Sequence, residues 1–410
     1  MTIEKNQSSV MEQFLPRLRK TCAFGAMLVA SAFAHAQDAA EPTKEKSWSD
    51  VFTDPKDGAF DASEWLLDKR GFLPIPIIIT EPAIGYGGGV GLAFFSESMR
   101  DAAEHAKETG HVVPPNIYGI GGAMTENGTF GYAAGAMMSF DEDRWRYRGG
   151  VAKVHANLDF YGIGTNTGKD THVSYTMDGI LSSQQVLRRL GQSNNYLALQ
   201  WIYLDLDTSF ETNSRFPFFP SSIEMAKRSS GLGFSFEHDS RDNIFTPSRG
   251  WTGSMDALFY DPDWGSDNRM QSYRAHAFAY FPIDASNDAP RWILGTRIDG
   301  RAARGDVPFY QNPFIDMRGI PAGRYQDENV GVAELELRWN VTERWAAIGF
   351  VGAGKVWGTR QDFGESSTEV SRGLGFRYLL ARRLGLYVGI DVAKGPEDDA
   401  FYIQIGNAWR

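Results

Sequence analysis

Residues that could carry out catalysis are few and scattered in this sequence. The seven histidines are dispersed, with no pair four residues apart, so we expect no metal site. His238 and Asp239 could form an acid–base dyad for hydrolysis, but adjacent residues of a strand point to opposite faces. No G-x-S-x-G, H-E-x-x-H or P-loop pattern occurs, and the glycine run 87–89 follows strand spacing and is interpreted as relieving crowding. We therefore expect no catalytic residue and no cofactor.

Charged residues instead recur at every second position in the C-terminal half. Arg297, Asp299 and Arg301 alternate with apolar residues, which is the period of a β-strand with one apolar and one charged face. Two later segments repeat this pattern, with the charged or polar positions Glu334, Glu336, Arg338, Tyr387 and Asp391. An arginine on the lipid face of a membrane strand costs roughly 2–4 kcal/mol at mid-bilayer. Strands that cross a membrane must therefore turn these charges towards an interior lumen.

The N-terminus has the features of a secretory signal peptide, predicted here over residues 1–36. Basic residues between Arg17 and Lys20 precede the apolar stretch 22–33, and residues 34–36 (Ala-His-Ala) provide a cleavage site. A membrane anchor is the alternative, but a spanning helix needs roughly 20 apolar residues and this stretch is only about a dozen long. Cys22, the only cysteine, lies in this segment, so the mature chain would have no thiol.

The remaining residues, about 370, contain no apolar run long enough for a membrane helix. We interpret residues 37–70 as a periplasmic lead-in with an amphipathic stretch at 60–67, and residues 71–410 as one transmembrane antiparallel β-barrel of about 16 strands. A soluble sandwich would show the same alternation, but about 16 strands in one open sheet would be unusual, and closure removes the edges. The acidic balance, with a net charge of −10, argues against nucleic acid as a partner.

Strand positions follow from the alternation and from the turn residues between the segments. Strands are predicted at residues 72–80, 83–96, 116–125, 129–140, 145–158, 171–187, 194–209, 229–239, 250–261, 270–283, 290–304, 329–340, 343–357, 369–381, 384–394 and 400–409. Long surface loops are expected at 210–228 and 305–328. The connection 97–115 is long and helix-prone although it falls on the periplasmic side, so either it is a true insert or the first two strands are miscounted. We keep the even count.

The first strand contains Pro74 and Pro76, two residues apart. Both lack an N–H donor on the same edge of the backbone, so that edge pairs poorly. If this strand closes the barrel against the last one, the closing seam has fewer hydrogen bonds than any other strand pair and is a candidate lateral opening. The alternative is a strand entrance with polyproline II character.

Four segments of the chain resemble one family of proteins. Residues 237–251 contain a D-x-R-D-N-x-x-x-P-x-x-G pattern that resembles the strand–turn–strand signature of the BamA/TamA bacterial surface antigen superfamily. The signature positions are Asp239, Arg241, Asp242, Pro247 and Gly250. Residues 317–325 (MRGIPAGRY) are similar to the V-R-G-aromatic tip of that superfamily's sixth extracellular loop. Residues 349–357 and 401–409 resemble its next landmark and its aromatic C-terminal strand.

The resemblance implies a role for the loop tip formed by Arg318, Gly319 and Ile320. In that family the loop folds back into the barrel and its arginine pairs with lumenal carboxylates. This chain has Gly352 where the family usually has an aspartate, and Ile320 replaces the usual aromatic residue. The remaining candidates for the lumenal partner are Glu334, Glu336 and Asp391. The alternative is that Arg318 lies at a solvated loop tip with no partner.

The resemblance also implies a function at the bacterial outer membrane. Members that insert or secrete proteins usually carry periplasmic POTRA domains of about 75 residues, and the lead-in 37–70 has no room for one, so the chain is most similar to the short members. Outer-membrane lipids, and unfolded outer-membrane or secreted polypeptides, are the expected partners. A passive channel or structural barrel is the alternative function. An outer-membrane hydrolase is a third, which would need Glu334, Glu336 and Asp391 free of any arginine.

Overall fold

The computed structural model describes residues 51–101, 115–165, 172–211, 222–284, 290–358 and 361–409. The stretch from residue 51 onward forms one compact unit. The predicted signal peptide and the first part of the predicted lead-in lie outside the described residues. None of the helices in the described ranges has the length and apolar content needed to cross a bilayer.

Sixteen strands form one antiparallel sheet in which each strand pairs with the next along the chain. This confirms the predicted fold class, an all-β barrel of sixteen antiparallel strands. The strands are β1 (Gly71–Glu81), β2 (Gly85–Phe95), β3 (Ile117–Thr125), β4 (Phe130–Phe140), β5 (Trp145–Phe160), β6 (Val173–Arg189), β7 (Asn195–Glu211), β8 (Ser222–Asp239), β9 (Gly250–Tyr260), β10 (Met270–Pro282), β11 (Trp292–Gly305), β12 (Asn329–Asn340), β13 (Trp345–Trp357), β14 (Glu369–Ala381), β15 (Leu386–Lys394) and β16 (Asp399–Ile405).

The pairing registers assign every strand residue to an outer or an inner face. Large apolar side chains such as Leu199 and Leu374, which are 62% and 72% exposed, lie on the outer face, as a strand in contact with lipid requires. Arg297 of β11 pairs directly with Glu334 of β12, so both lie on the inner face. The charged sides of these strands therefore line the lumen, where the alternation places them.

Two predicted strand boundaries are wrong. β8 begins at Ser222, so it takes up part of the predicted loop 210–228. β16 ends at Ile405 rather than at residue 409, because Gly406 adopts a left-handed φ of 76° and turns the chain inward. Trp409 then packs in the lumen against Phe278 and Tyr280. The connection 97–115 joins β2 to β3, and the even strand count stands.

Glycine permits a close approach of β2 to β3. Gly89 pairs with Ala123, and a Cβ at Gly89 would collide with the carbonyl oxygen of Gly122. Any larger residue at position 89 would push the two strands apart, so the predicted relief of crowding fits the geometry here.

The barrel has one place where neighbouring strands form no ladder. β1 and β16 lie side by side, yet no pairing register joins them, although both strands lie wholly within the described ranges. The rings of Tyr86 in β2 and Phe401 in β16 stack across this gap with centroids 5.2 Å apart. We call this gap the β1–β16 seam.

Residues 51–68 lie against the end of the barrel that carries the β12–β13 and β14–β15 turns, and we call them the N-terminal strap. The strap contains a short helix, α1 (Ser63–Leu67), and leads directly into β1. Arg344, in the turn between β12 and β13, makes ion pairs with three carboxylates of the strap. The backbone N–H of Ala62 donates to the carbonyl oxygen of Leu380 in β14. The strap therefore links the first strand of the barrel to its last quarter.

Candidate functional site: the loop between β11 and β12 and the lumen

The loop between β11 and β12, residues 306–328, turns back into the lumen. Its apolar side chains form a buried cluster with residues of the inner faces of β12 and β13. The cluster contains Ile315, Met317, Ile320, Tyr325, Val330, Val332 and Val356. Ile320 is only 3% exposed, so it fills this cluster although it is smaller than the aromatic residue of the resembling family. We call residues 306–328 the lumenal loop.

The side chain of Arg318 is buried at the tip of the lumenal loop, 7% exposed, among acidic residues. Its Nη1 donates to Oδ2 of Asp391 at 2.8 Å. Its Nη2 lies 2.9 Å from Oε2 of Glu336, and its Nε lies 3.9 Å from Oε1 of Glu334, both as ion pairs without hydrogen-bond geometry. The guanidinium also lies 3.6 Å from the ring centroid of Phe350, a cation–π contact. Arg318 therefore does not lie at a solvated loop tip.

The backbone of the tip is held by β14 and β16. Gly319 has a φ of 86°, and its N–H donates to the Tyr402 hydroxyl at 2.9 Å. The hydroxyl of Ser371 donates to the carbonyl oxygen of Arg318. A Cβ at Gly319 would press on Gly395 and Ala393, so only glycine fits both this conformation and this space.

Gly352 provides space where the resembling family has a carboxylate. A Cβ built at Gly352 would collide with the sulfur of Met317 and lie 2.7 Å from Cγ of Glu334. The space that an aspartate would need is thus filled by the loop itself. Glu336 and Asp391, from β12 and β15, supply negative charge to Arg318 in its place.

The contacts of Arg318 belong to a larger ion-pair network in the lumen. Arg377 of β14 shares Asp391, at 2.6 and 2.9 Å, and Arg297 of β11 donates to Glu334 at 2.7 Å. The network contains Arg274, Arg297, Arg301, Arg318 and Arg377 with Asp299, Asp316, Glu334, Glu336 and Asp391. It is formally neutral, as buried charges need to be.

Three residues of the site were missed by the sequence analysis. Arg377 and Phe350 lie at inner-face positions of predicted strands, so the alternation could have marked them as lumenal, but it does not identify their partners. Arg324 of the lumenal loop donates from Nε to Glu397 at 2.7 Å. Glu397 follows β15, and no sequence pattern indicated that pair.

The turn between β8 and β9 contains the predicted signature residues and is held by hydrogen bonds of their side chains. Oδ1 of Asp242 accepts from the N–H groups of Ser248 and Arg249 at 2.8 and 3.1 Å, which closes the turn. Arg241 donates to Asp239 at 2.7 Å. Two further signature residues take part: the carbonyl of Pro247 accepts from Arg338, and Gly250 has a φ of 88°.

His238 and Asp239 face opposite sides of the sheet. The His238 ring stacks on Trp251 of the outer face with centroids 4.0 Å apart, whereas Asp239 pairs with Arg241. The two side chains are engaged separately and do not share a lumenal site.

The comparison with family models places this chain among known proteins. A model described as "Omp85 superfamily domain" matches residues 116–409. No curated protein matches the chain.

Solved structures share the fold at low sequence identity. BamA from Haemophilus ducreyi lacking POTRA domains 1–3 is similar with a TM-score of 0.56 and 14% identity, over 82% of this chain and 70% of that one. CdiB from Acinetobacter baumannii gives 0.51 and 12%, over 82% of this chain and 59% of that one. CdiB from Escherichia coli gives 0.51 and 11%, over 80% and 61%. The chain thus spans about three fifths of the CdiB chains, and the likeness is one of fold.

Proposed function

The chain belongs to the Omp85 superfamily, and from that premise we propose that it aids the insertion or translocation of polypeptides, or of lipids, at the outer membrane by opening the β1–β16 seam. Unfolded outer-membrane or secreted polypeptides are the proposed partners. The observation that carries this proposal is the absence of a ladder between β1 and β16, in a sheet whose other neighbours are all paired. A strand edge without partners is a template for pairing with another chain.

The two prolines of β1 remove hydrogen-bond donors from the edge that faces β16. β1 pairs with β2 through an unbroken register that includes Pro74 and Pro76. Proline is tolerated in a sheet only where its missing N–H faces away from the paired neighbour. The nitrogens of both prolines therefore face β16. At these two positions β1 has no N–H group that a carbonyl oxygen of β16 could accept a hydrogen bond from.

A cavity lies at the periplasmic end of the seam. It has a volume of about 590 Å³ and is lined by residues of β1, including Leu73, Pro74 and Pro76, and by Val388 and Ile405 on the other side. Apolar side chains on both sides of the gap can be exposed to the bilayer interior without loss of hydrogen bonds. The seam can therefore open at low cost compared with any hydrogen-bonded strand pair.

The lumenal loop argues against a permanently open pore. Arg318 joins the loop to strands β12 and β15, and a buried charged pair is costly to break from one side. A passive channel remains the second candidate function and predicts a large, steady conductance in the intact protein. The hydrolase alternative required carboxylates free of any arginine, and Arg318 contacts both Glu336 and Asp391, so the proposed role is non-enzymatic.

Locking the seam tests the proposal. In the doubly substituted variant Ile78→Cys with Ile403→Cys, a bifunctional thiol reagent with a reducible disulfide in its spacer would join β1 to β16 across the seam. We expect efficient crosslinking and loss of the ability to complement a depleted strain, restored by reduction. The control pair Ile390→Cys with Ile403→Cys sits on directly paired residues of β15 and β16 and should leave complementation intact when crosslinked. Full complementation by the locked seam variant would rule the seam out as the route.

A further inference from the structure

The middle part of the inner wall formed by β1 to β7 is mainly apolar, in contrast to the usual polar lumen of an outer-membrane barrel. Most of the residues that line this part alternate with outer-face residues and carry small or aliphatic side chains. Representative members are Ile77, Gly91, Gly119, Ala133, Gly135 and Ala152. The cavity bounded by this wall has a volume of about 810 Å³, within the usual range for ligand sites of roughly 300–1,000 Å³. We call this apolar part of the inner wall the apolar wall.

The lumenal loop contributes no residue to the lining of the cavity on the apolar wall. Its buried cluster involves β12 and β13, and its Phe309 packs at the ends of β5, β6 and β7, against Phe160, Tyr175 and Phe210. Met137, which faces the lumen from β4, is 53% exposed, and Ala133 is also exposed. Apolar surface of this extent that is exposed with respect to the described residues marks a site for an apolar partner.

From this wall we propose that the lumen holds the acyl chain of an outer-membrane phospholipid. An acyl chain has no polar groups, whereas a polypeptide would bring backbone N–H and C=O groups that need partners. The face of a sheet offers no free backbone groups, and glycine and alanine supply no side-chain donors or acceptors. A polypeptide lying here would leave its backbone unsatisfied, and an acyl chain would not.

The apolar wall is continuous with the hydrocarbon of the bilayer through the β1–β16 seam. Ile75 of β1 borders both the cavity at the seam and the apolar wall. An acyl chain could therefore pass from the bilayer along the apolar residues of β1 into the lumen, and the charged lining residues of the seam cavity, Lys69 and Arg241, lie outside β1. Only this route of access rests on the seam of the proposed function; the binding surface itself does not.

A cation is placed to receive the headgroup. Arg148 is the only charged residue among the described residues that line the cavity. Its Nη2 pairs with Glu237 at 2.5 Å, and its side chain is 38% exposed, so part of the guanidinium can be reached from the lumen. A phosphate can accept from such a guanidinium as a charge-assisted hydrogen bond.

Site-specific quenching by a labelled lipid tests the inference. The chain without its signal segment has no cysteine, so Ala133→Cys on the apolar wall can carry an environment-sensitive fluorophore. The protein is reconstituted in phosphatidylcholine vesicles that contain a phospholipid with a nitroxide on its acyl chain. Ala134→Cys, on the outer face of the same strand, is the positive control. Ser254→Cys, on the inner face of β9, is the control for quenching by lipids outside the barrel, because one strand layer separates it from the bilayer in the same way.

We expect quenching at Ala133→Cys to be at least half that at Ala134→Cys and severalfold above that at Ser254→Cys. Adding Ala152→Asp should lower it to the Ser254→Cys level, whereas Ala152→Val should not, with folding checked by heat-modifiable gel mobility. Equal quenching at Ala133→Cys and Ser254→Cys would overturn the inference. The measurement uses purified protein, so it can fail while the seam experiment succeeds, and the reverse.

Discussion

Strands β1 to β7 and strands β10 to β15 line one lumen, but they present different side chains to it. On the C-terminal side, arginines and carboxylates neutralise one another, and Arg318 ties the lumenal loop to β12 and β15. On the N-terminal side, glycine, alanine and isoleucine form the apolar wall. The charged half fixes a segment in place, because each buried charge needs several partners at once. The apolar half holds the loop by packing, as of Phe309 on Tyr175, and it includes β1, which has no ladder with β16.

The difference also appears in how many strands each ion pair joins. In the charged half, Arg297 contacts residues of its own strand, of β12 and of the lumenal loop. In the apolar half, the pair of Arg148 with Glu237 links β5 to β8 and is partly exposed. A fold that is rigid on one side and loosely joined on the other can open at the seam without losing its overall structure.

Removal of the lumenal loop, which the charged half holds by ion pairs, should have the largest effect on conductance. Deleting residues 311–326 takes away Arg318 and the loop's share of the apolar cluster, and we expect single-channel conductance in planar bilayers to rise sharply from a low, flickering level. Replacing residues 262–265, in the loop between β9 and β10, by Gly-Ser-Gly-Ser is the control and should leave conductance low. An unchanged conductance after the deletion would mean that the lumenal loop does not block the pore.

Substitution of one arginine in each half should give the next largest difference, in the free energy of unfolding. Arg318→Ala leaves Asp391 and Glu336 buried without this partner, and breaking a buried pair from one side costs about 3–5 kcal/mol. Arg148→Ala removes a partly exposed pair, whose cost is about 0–1 kcal/mol. Urea unfolding in detergent, followed by heat-modifiable mobility, measures both. Equal losses in the two variants would remove the distinction between the halves.

The seam should respond to restored donors. Pro74→Val with Pro76→Val supplies two N–H groups on the edge that faces β16, and each new hydrogen bond is worth about 0.5–1.5 kcal/mol. We expect slower hydrogen exchange in β1 and weaker complementation. Pro82→Val, in the turn between β1 and β2, is the control for removing a proline elsewhere and should change neither. Faster exchange in β1 of the double variant would show that the prolines do not weaken the seam.

Much of the fold could be predicted from the sequence because a barrel strand has a simple period. Arg297, Asp299 and Arg301 fix the inner face of β11 at once, and the same reasoning extends to β12 and β15. The end of β16 could not be predicted, because the aromatic alternation continues past Gly406 while the backbone turns inward at that residue. Tertiary contacts of Trp409 in the lumen decide that path.

The candidate site was only partly predictable. The motif indicated Arg318, and elimination left three lumenal carboxylates, which the structure places around its guanidinium. Arg377 was missed because the alternation assigns a residue to a face of the sheet but does not identify its partner on the neighbouring strand, here Asp391. The apolar wall was missed for a different reason: glycine and alanine carry little hydropathy signal, and only the register shows that they share one side.

The smallest expected effect concerns the N-terminal strap, which connects the apolar half to the charged half outside the lumen. Hydrogen bonds from Arg344 hold the pKa of Asp57 well below its ordinary value of 3.8. A carboxyl group with a lowered pKa in the folded state contributes stability above its ordinary pKa and loses it as the pH falls through the folded value. Hydrogen exchange of residues 51–68 should therefore be slow at about pH 6 and should accelerate, after correction for the intrinsic rate, below about pH 4.

The variant Asp57→Asn should give faster exchange of the strap at pH 6 and a weaker pH dependence. The control is Asp68→Asn, because Asp68 pairs with Arg100 rather than with Arg344, and this variant should resemble the unaltered chain. If Asp57→Asn leaves exchange unchanged at every pH, Asp57 is not needed to hold the strap to the turns of the charged half.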